Sequence, residues 1–490
     1  MAWLKIVVGA GVLAVLIILN VAWSLYKKRH IFEFAKNFNG FRFYPIFGNY
    51  WQLKNIGYSD YFDAVRVVAK EVGLPFNFWY GHSYLHVTDD AEAIKVILDH
   101  PDCLDKSSSY NILKVLFEDC LLVYKADEWK VRRKFFSKSF NQPILNSYVH
   151  YFYKNSNVLV DVLHNDYEDL FSVFGRYTFD TFCDIIVGKS YNLQTDPSNR
   201  LIDEMDAMQK YMAEISVATV TFGFPLHLKA LLTNGWSALS LINKLKKLSS
   251  SMTDLRRKEL QKYPVVGSQI SFLDAMISRG NLFHPSIISK ELLIFLVAAT
   301  DTTGNSLTFT FTLLGMHPEI QQKVYEEVIT EIGRDAPIET DHLPKLKYTE
   351  RVISESLRLF PPVFIVGRHI NKDIQIGDKI FPKGTNVLVY TFALHRNSKY
   401  WPNPKKFDPD RFLPEEIAKR PPSCYIPFSE GPRNCIGKLY AMMSMKVVVA
   451  NVIRNFRISS KYRSVDEMEM RGLITIRTKN DIDCHFSPRN

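Results

Sequence analysis

The chain has 490 residues, 47% of them hydrophobic, and carries 61 Lys and Arg against 51 Asp and Glu, a formal charge of +10. That content supplies a sizeable core, and with no long Lys/Arg tract and no aromatic-interleaved basic motif, nucleic acid is not an expected partner. Six cysteines without a CxxC pair exclude a zinc cluster of the usual spacing and suit a reducing compartment.

Residues 6–19 are all apolar or Gly, and the run continues to Tyr26 before Lys27-Lys28-Arg29. About 20 apolar residues match the hydrocarbon thickness of a bilayer, and the basic cluster after them keeps the following chain in the cytosol. Ala22-Trp23-Ser24 is a poor cleavage site, so residues 1–26 read as an uncleaved transmembrane anchor rather than a signal peptide. Residues 27–48, with Pro45 and Gly48, read as a linker, and residues 49–490 as one globular unit without internal repeats.

From there to about residue 360 the pattern is mainly helical. Trp129-Lys-Val-Arg132-Arg133 sets Trp129 and Arg133 one helical turn apart, on a candidate helix that also carries Lys130, Lys134 and Lys138. An ordinary basic amphipathic helix would read the same. Residues 263–271, with Pro264 and Gly267, read as a surface loop. Leu296 to Thr303 is an apolar helical stretch containing Ala298, Ala299 and Asp301-Thr302-Thr303, which alone reads as a cap or a back-bonded kink. Pro318 opens a helix with Ile320, Val324, Val328 and Ile332 on one face. Glu355 and Arg358 lie three apart on a helix face, ordinarily a solvated contact. Residues 374–390 alternate around Gly377-Asp378 and Lys383-Gly384 as short strands and turns, and Leu473 to Phe486 reads as a hairpin turning near Lys479-Asn480.

The most specific segment is Phe428-Ser-Glu-Gly431-Pro-Arg433-Asn-Cys435-Ile-Gly437, followed by an apolar helical run from Leu439 to Val452. A cysteine just before a helix N-terminus meets partial positive charge and free N–H groups, which favour the thiolate a haem iron needs. Gly431 and Gly437 permit a sharp turn or close approach to a flat cofactor; Phe428 shields the sulfur, and Arg433 suits a haem propionate. A lone cysteine is usually plain core. Five such residues at fixed offsets arise by chance in a chain this long about once in ten thousand, on average composition.

This segment resembles the cysteine-loop signature of the cytochromes P-450, and residues 293–458 look throughout like the C-terminal half of a microsomal animal member. Tyr390-Thr-Phe-Ala-Leu-His-Arg-Asn397 and Ile426 to Cys435 look closest to the clan of fatty-acid hydroxylases and many insect enzymes. The resemblance implies a mainly α fold with small β-sheets behind the N-terminal transmembrane helix. It implies Cys435 as axial ligand of a haem b iron, Trp129, Arg133, Arg368 and Arg433 at the propionates, and a structural triad of Glu355, Arg358 and Arg411. Asp301 and Thr302 become the acid–hydroxyl pair that delivers protons during oxygen activation. Ala299 departs from the family's usual Gly, Phe364 from a frequent Pro, and Ala298 from a Glu that bonds covalently to haem in many of the clan, so non-covalent haem is expected. Pocket walls are expected near 105–123, near 210–230, along Ile294 to Ala298 and around Val363 to Val366.

The implied activity is insertion of one oxygen atom from O2 into a lipophilic substrate, with electrons from NADPH through a membrane-bound reductase and cytochrome b5 as a further candidate donor. Lys130, Arg132, Lys134, Lys138 and Lys438 would face an acidic reductase. The expected location is the endoplasmic reticulum membrane, single-pass, with the catalytic domain in the cytosol. A haem-thiolate isomerase or dehydratase acting on peroxides, and a non-catalytic haem- or lipid-binding protein, are the alternative readings.

Overall fold

The computed structural model describes residues 2–44, 48–49, 60–80, 83–165, 169–212, 235–263, 271–279, 283–472, 474–480, 482 and 484–489. Pro45, the loop 264–270 and most of the expected 210–230 wall lie outside them.

The fold is mainly helical, as expected. Helix α1 spans Ala2–Lys27, α2 Ala91–Asp99, α3 Ala126–Phe136, α4 Val149–Leu163, α5 Leu170–Phe182 and α6 Trp236–Lys262. After them come α7, Pro285–Met316, α8, Pro318–Glu331, α9, Lys347–Leu359, and α10, Lys438–Asn455. A further helix runs over residues 201–212. Local chemistry sets several ends. The Asp90 side chain accepts from Ala93 N at 2.9 Å ahead of α2. Pro285 and Pro318 occupy first-turn positions that need no N–H partner. In α8, Ile320, Val324 and Val328 are buried as their spacing predicts.

Helix α7 is the centre of the molecule. It is long and apolar enough to cross a membrane, yet 83% of that stretch is buried inside the fold, so its hydropathy is that of a core. It crosses α5 at glycines. A Cβ on Gly304 would stand 3.2 Å from Gly175 N, and a Cβ on Gly175 would press on Ile202. With no Cβ on Gly304 the α7 backbone lies directly against that of α5, Gly175 leaves room for Ile202, and Thr178 Oγ1 donates to Thr300 O at 2.9 Å.

The strands are β1 (Asn39–Gly40), β2 (Phe76–Tyr80), β3 (Ser83–Thr88), β4 (Val366–His369), β5 (Ile374–Ile376), β6 (Lys379–Phe381) and β7 (Asn386–Val389), then β8 (Phe456–Ser460), β9 (Met470–Gly472), β10 (Ile476–Thr478) and β11 (Cys484–Pro488). One sheet has the order β1-β2-β3-β7-β4, and β5 pairs with β6 as the 374–390 pattern predicts. Among the described residues the hairpin expected over 473–486 is not formed. Instead β9 pairs antiparallel with β10, the chain turning between Gly472 and Ile476, while β11 pairs with the distant β8. That register buries Phe486 and Phe456, and alternation cannot say which partner a strand takes.

Within the stretch read as a linker, Arg29–Ala35 is helical and buries Ile31 and Phe34, and β1 joins the sheet. Phe34 lies 4.7 Å from the Phe381 ring and Phe32 stacks 4.3 Å from Trp79, so apolar burial fastens this segment to the sheet.

Candidate active site

A cavity of about 800 Å³ lies beside α7. Ile294, Ala298, Ala299, Asp301 and Thr302 line it from that helix, and Phe428, Cys435 and Gly437 line it from the loop before α10. Segment 106–122 and Val363, Ile365 and Val366 add mainly apolar surface. Three of the four expected walls are therefore present; of the fourth, residues 213–230 are outside the described set.

Six cysteines are free, and Cys435 alone is not buried. It is surrounded by protein, but its side chain opens onto the cavity. Burial pushes its thiol above the ordinary value, and a hydrogen bond from Gly437 N–H and the charges of Arg133, Lys438 and Lys106 offset part of that rise. Desolvation pushes Cys103 and Cys120 up to about 12, where a thiol is inert. The loop is closed by Cys435 N donating to Phe428 O at 2.9 Å. Gly431 supports it from behind: its φ is +74°, and a Cβ there would run into the carbonyl of Leu98 at the end of α2. Its missing Cβ is what lets the loop pack this closely on α2. Gly437 caps α10, and a Cβ there would meet only Cys435 Sγ, at 3.9 Å, within the cavity.

Positive charge gathers at this end. Arg133 on α3 donates to Asn434 O and Oδ1 at 2.7 and 2.8 Å, clamping the residue before the cysteine. Arg433 donates to the carbonyls of Leu104, Leu122 and Tyr124 at 2.5, 3.2 and 2.7 Å and lies 5.2 Å over the Trp129 ring. Burial and the nearby Arg368 push its pKa down to about 10. Arg368 is fully buried on β4, donates to Arg433 O at 3.4 Å, and does not line the cavity itself. Lys106, which sequence reasoning missed, lines the cavity with its ammonium 4.7 Å over the Tyr110 ring. Desolvation and repulsion from Arg368 and Arg433 push its pKa well down. Nothing in its local pattern marks it out; only the fold brings it to the arginines.

None of Lys106, Arg133, Arg368 and Arg433 has an ion pair among the described residues, and the Nε atoms of Arg368 and Arg433 have no hydrogen-bond partner. Arg368 and Arg433 are buried and Lys106 and Arg133 half-buried, and cations so placed without a paired acid mark a place for an anionic group. An open thiol, this uncompensated charge and the bare Gly437 beside the sulfur fit a haem, its carboxylates toward the cations and its metal toward Cys435.

On α7, Thr302 Oγ1 donates to Ala298 O at 2.7 Å. Asp301 borders the cavity but is not free: Arg477 Nη2 donates to its Oδ1 at 2.8 Å, and the Thr475 hydroxyl donates to its Oδ2. Thr475 and Arg477 were also missed, although Thr475-Ile-Arg477 alternates in the predicted strand region.

The expected triad is assembled away from the cavity. Arg358 Nε and Nη2 grip Glu355 Oε2 and Oε1 at 2.6 and 2.8 Å, both residues being 0% exposed, and Arg411 Nε lies 3.4 Å from Glu355 Oε1. Arg358 Nη1 also donates to His395 O and Pro404 O at 2.8 and 2.7 Å. The His395 ring accepts from Ile426 N at 2.9 Å, two residues before Phe428. Burial and the Arg358 charge hold His395 down to about 3, which keeps that nitrogen an acceptor. The triad is thus tied to the start of the cysteine loop through one histidine.

The sequence matches the family model described as cytochrome P450 over residues 39–484. It is 29% identical to cytochrome P450 4c3 of Drosophila melanogaster, over 95% of this chain and 92% of that protein. It is 28% identical to cytochrome P450 4V2 of Homo sapiens, over 92% and 89%, and 28% identical to the probable cytochrome P450 4d20 of Drosophila melanogaster, over 93% and 94%. With one family model spanning most of the sequence and relatives aligned nearly end to end, the chain belongs to the cytochrome P450 family, haem-dependent oxidoreductases of the monooxygenase type.

Proposed function

We propose that this chain inserts one oxygen atom from O2 into a lipophilic substrate, a fatty acid, hormone or xenobiotic, with the second atom leaving as water. The observation that carries this reading is that Cys435 alone among six cysteines opens onto a largely apolar cavity, at the N-terminus of a helix. Bound haem would supply the reduction and cleavage of dioxygen, which a thiolate ligand favours.

The chain's own residues do the rest. Gly437 N–H and the charges of Arg133, Lys438 and Lys106 favour the Cys435 thiolate, and Phe428 covers it. Lys106, Arg133 and Arg433, with Trp129 stacked on the last, would hold the carboxylates, and Arg368 behind them adds its charge. Thr302 spends its one proton on Ala298 O, so its oxygen lone pairs remain to accept from a proton donor in the cavity. The apolar side chains of Ile294, Val363 and Val366 exclude water and bind the substrate's hydrocarbon. Ala298 offers no carboxylate for a covalent bond, so acid–organic solvent is expected to extract the haem; retention with the polypeptide would contradict this.

Electrons come from NADPH through a reductase, with cytochrome b5 as a second candidate donor. The catalytic domain faces the cytosol, tethered to the endoplasmic reticulum membrane by residues 1–26. Support for the tether is a 26-residue helix, about 39 Å long at 1.5 Å per residue, with Val8, Val12, Val15, Leu19 and Trp23 exposed along it.

A reduced carbon-monoxide difference spectrum tests the core of this reading. The wild-type protein is expected to show the red-shifted band of a thiolate-ligated haem, and Cys435→Ser to lose it. Persistence of the band in the variant would overturn the assignment.

A further inference from the structure

One side of the cavity is closed by a wall a single side chain thick. Val115 borders the cavity and is also 46% exposed to solvent. It sits on a short helix, Leu113–Phe117, which is followed by a turn at Glu118. The chain is pinned on either side of this piece. Ser108 N donates to Asn386 Oδ1 at 3.0 Å before it, and Leu121 N donates to the buried Glu291 Oε2 of α7 at 3.0 Å after it.

Between the pins, two long helices reach the same carboxylate. Lys246 of α6 donates to Glu118 Oε1 at 2.7 Å, and Lys290 of α7 lies 2.7 Å from Glu118 Oε2. Lys246 also donates to Val115 O at 3.4 Å, on the thin wall itself. The backbone of Glu118 is strained, with φ at +55°. A side chain at such a φ crowds the main chain, and the position favours glycine. Strain pushes this turn toward release, and the two lysines hold it. All three side chains are partly exposed, so water and salt weaken both pairs. Leu116 and Phe117 are buried beneath the turn and draw it back.

We propose that Glu118 is the catch of a gate: its two ion pairs hold residues 113–119 shut against α6 and α7, and their release lets lipophilic ligands pass between solvent and the cavity at Val115. The pins at Ser108 and Leu121 stay in place, so only the piece between them swings. This rests on the monooxygenase reading for the identity of the natural ligand, and adds a device that sets how fast that ligand comes and goes.

Glu118→Gln keeps the size of the side chain and removes its charge. The probe is phenylimidazole, a lipophilic azole whose ring nitrogen binds haem iron, used at a pH where it is neutral so that salt acts on the protein alone. Stopped-flow absorbance on the haem-loaded full chain gives its rates of entry and exit. At low salt both rates are expected to rise about threefold in Glu118→Gln, the scale of a partly exposed pair, with Kd unchanged. Rising salt is expected to speed the wild type toward the variant and to leave the variant as it is. Lys290→Gln, which leaves Lys246 in place, is expected to fall between the two. Lys114→Gln removes a pair within the segment, to Asp119 at 3.2 Å, that ties it to no other element, and is expected to change neither rate. Rates unchanged in Glu118→Gln, a change in exit alone, or an equal change in Lys114→Gln overturns the proposal.

Backbone hydrogen exchange reads the catch without the probe. Amides over residues 113–119 are expected to exchange faster in Glu118→Gln, while the Leu121 amide keeps its protection. Equal exchange in the two proteins overturns the proposal as well. This signal does not depend on turnover, whereas failure of the monooxygenase reading shows as a missing thiolate carbonyl spectrum.

Discussion

Glu291 is 0% exposed on α7, and one of its oxygens accepts from Leu121 N at 3.0 Å. Burial pushes the carboxyl up to about 7 from 4.5. Tyr124, Cys120, Glu128 and Arg132 face it, and the Arg132 charge only partly offsets the burial. The folded pKa lies above the unfolded one, so its contribution to stability is complete below about 4.5 and is lost as pH rises toward about 7. Thermal unfolding followed across that window is expected to show a falling midpoint in wild type and a shallower fall in Glu291→Gln; equal slopes would count against this account. Residues of this kind divide by how local their meaning is. Cys435, Trp129 and Arg133 were legible because fixed spacing along the chain carries their chemistry. Lys106, Glu291 and Arg477 were not, because each takes its role from residues far away in sequence.

At the level of elements, the triad shows how one helix governs a distant loop. Glu355 and Arg358 are three residues apart and read as a surface pair in isolation, yet both are wholly buried, and Arg358 holds the carbonyl of His395, whose ring holds Ile426. Removing Arg358 takes away the closer of the two cations that balance the buried Glu355 and leaves Arg411 at 3.4 Å, a loss of about 3–5 kcal/mol for a broken buried pair. Arg358→Ala is expected to fold without retaining haem, as judged by haem absorbance per protein; a normal ratio would remove the triad's link to the loop. Helix types and the β5–β6 turn were legible from periodicity. The β8–β11 pairing was not, since Phe456 and Phe486 meet only after the intervening chain has folded back.

For the whole molecule, a charge of +10 says little until it is placed. Lys130, Lys134, Lys138 and Lys438 are exposed, on α3, just after it, and beside the cysteine loop. Arg132 is instead turned inward, paired with Glu128 at 3.1 Å and stacked on Tyr124. If the exposed lysines steer an acidic reductase, electron transfer measured by stopped flow is expected to slow as ionic strength rises, since screening shortens to about 8 Å at physiological salt; a rate indifferent to salt would refute steering. The same scale decides where the ligand chamber can yield. At Gly304 the α7 backbone lies against that of α5 with no side chain of its own to reorient, and Thr178 ties the two together, so that flank is stiff. Bulkier guests must be met elsewhere along the lining, where segment 106–122 contributes the longest run of wall.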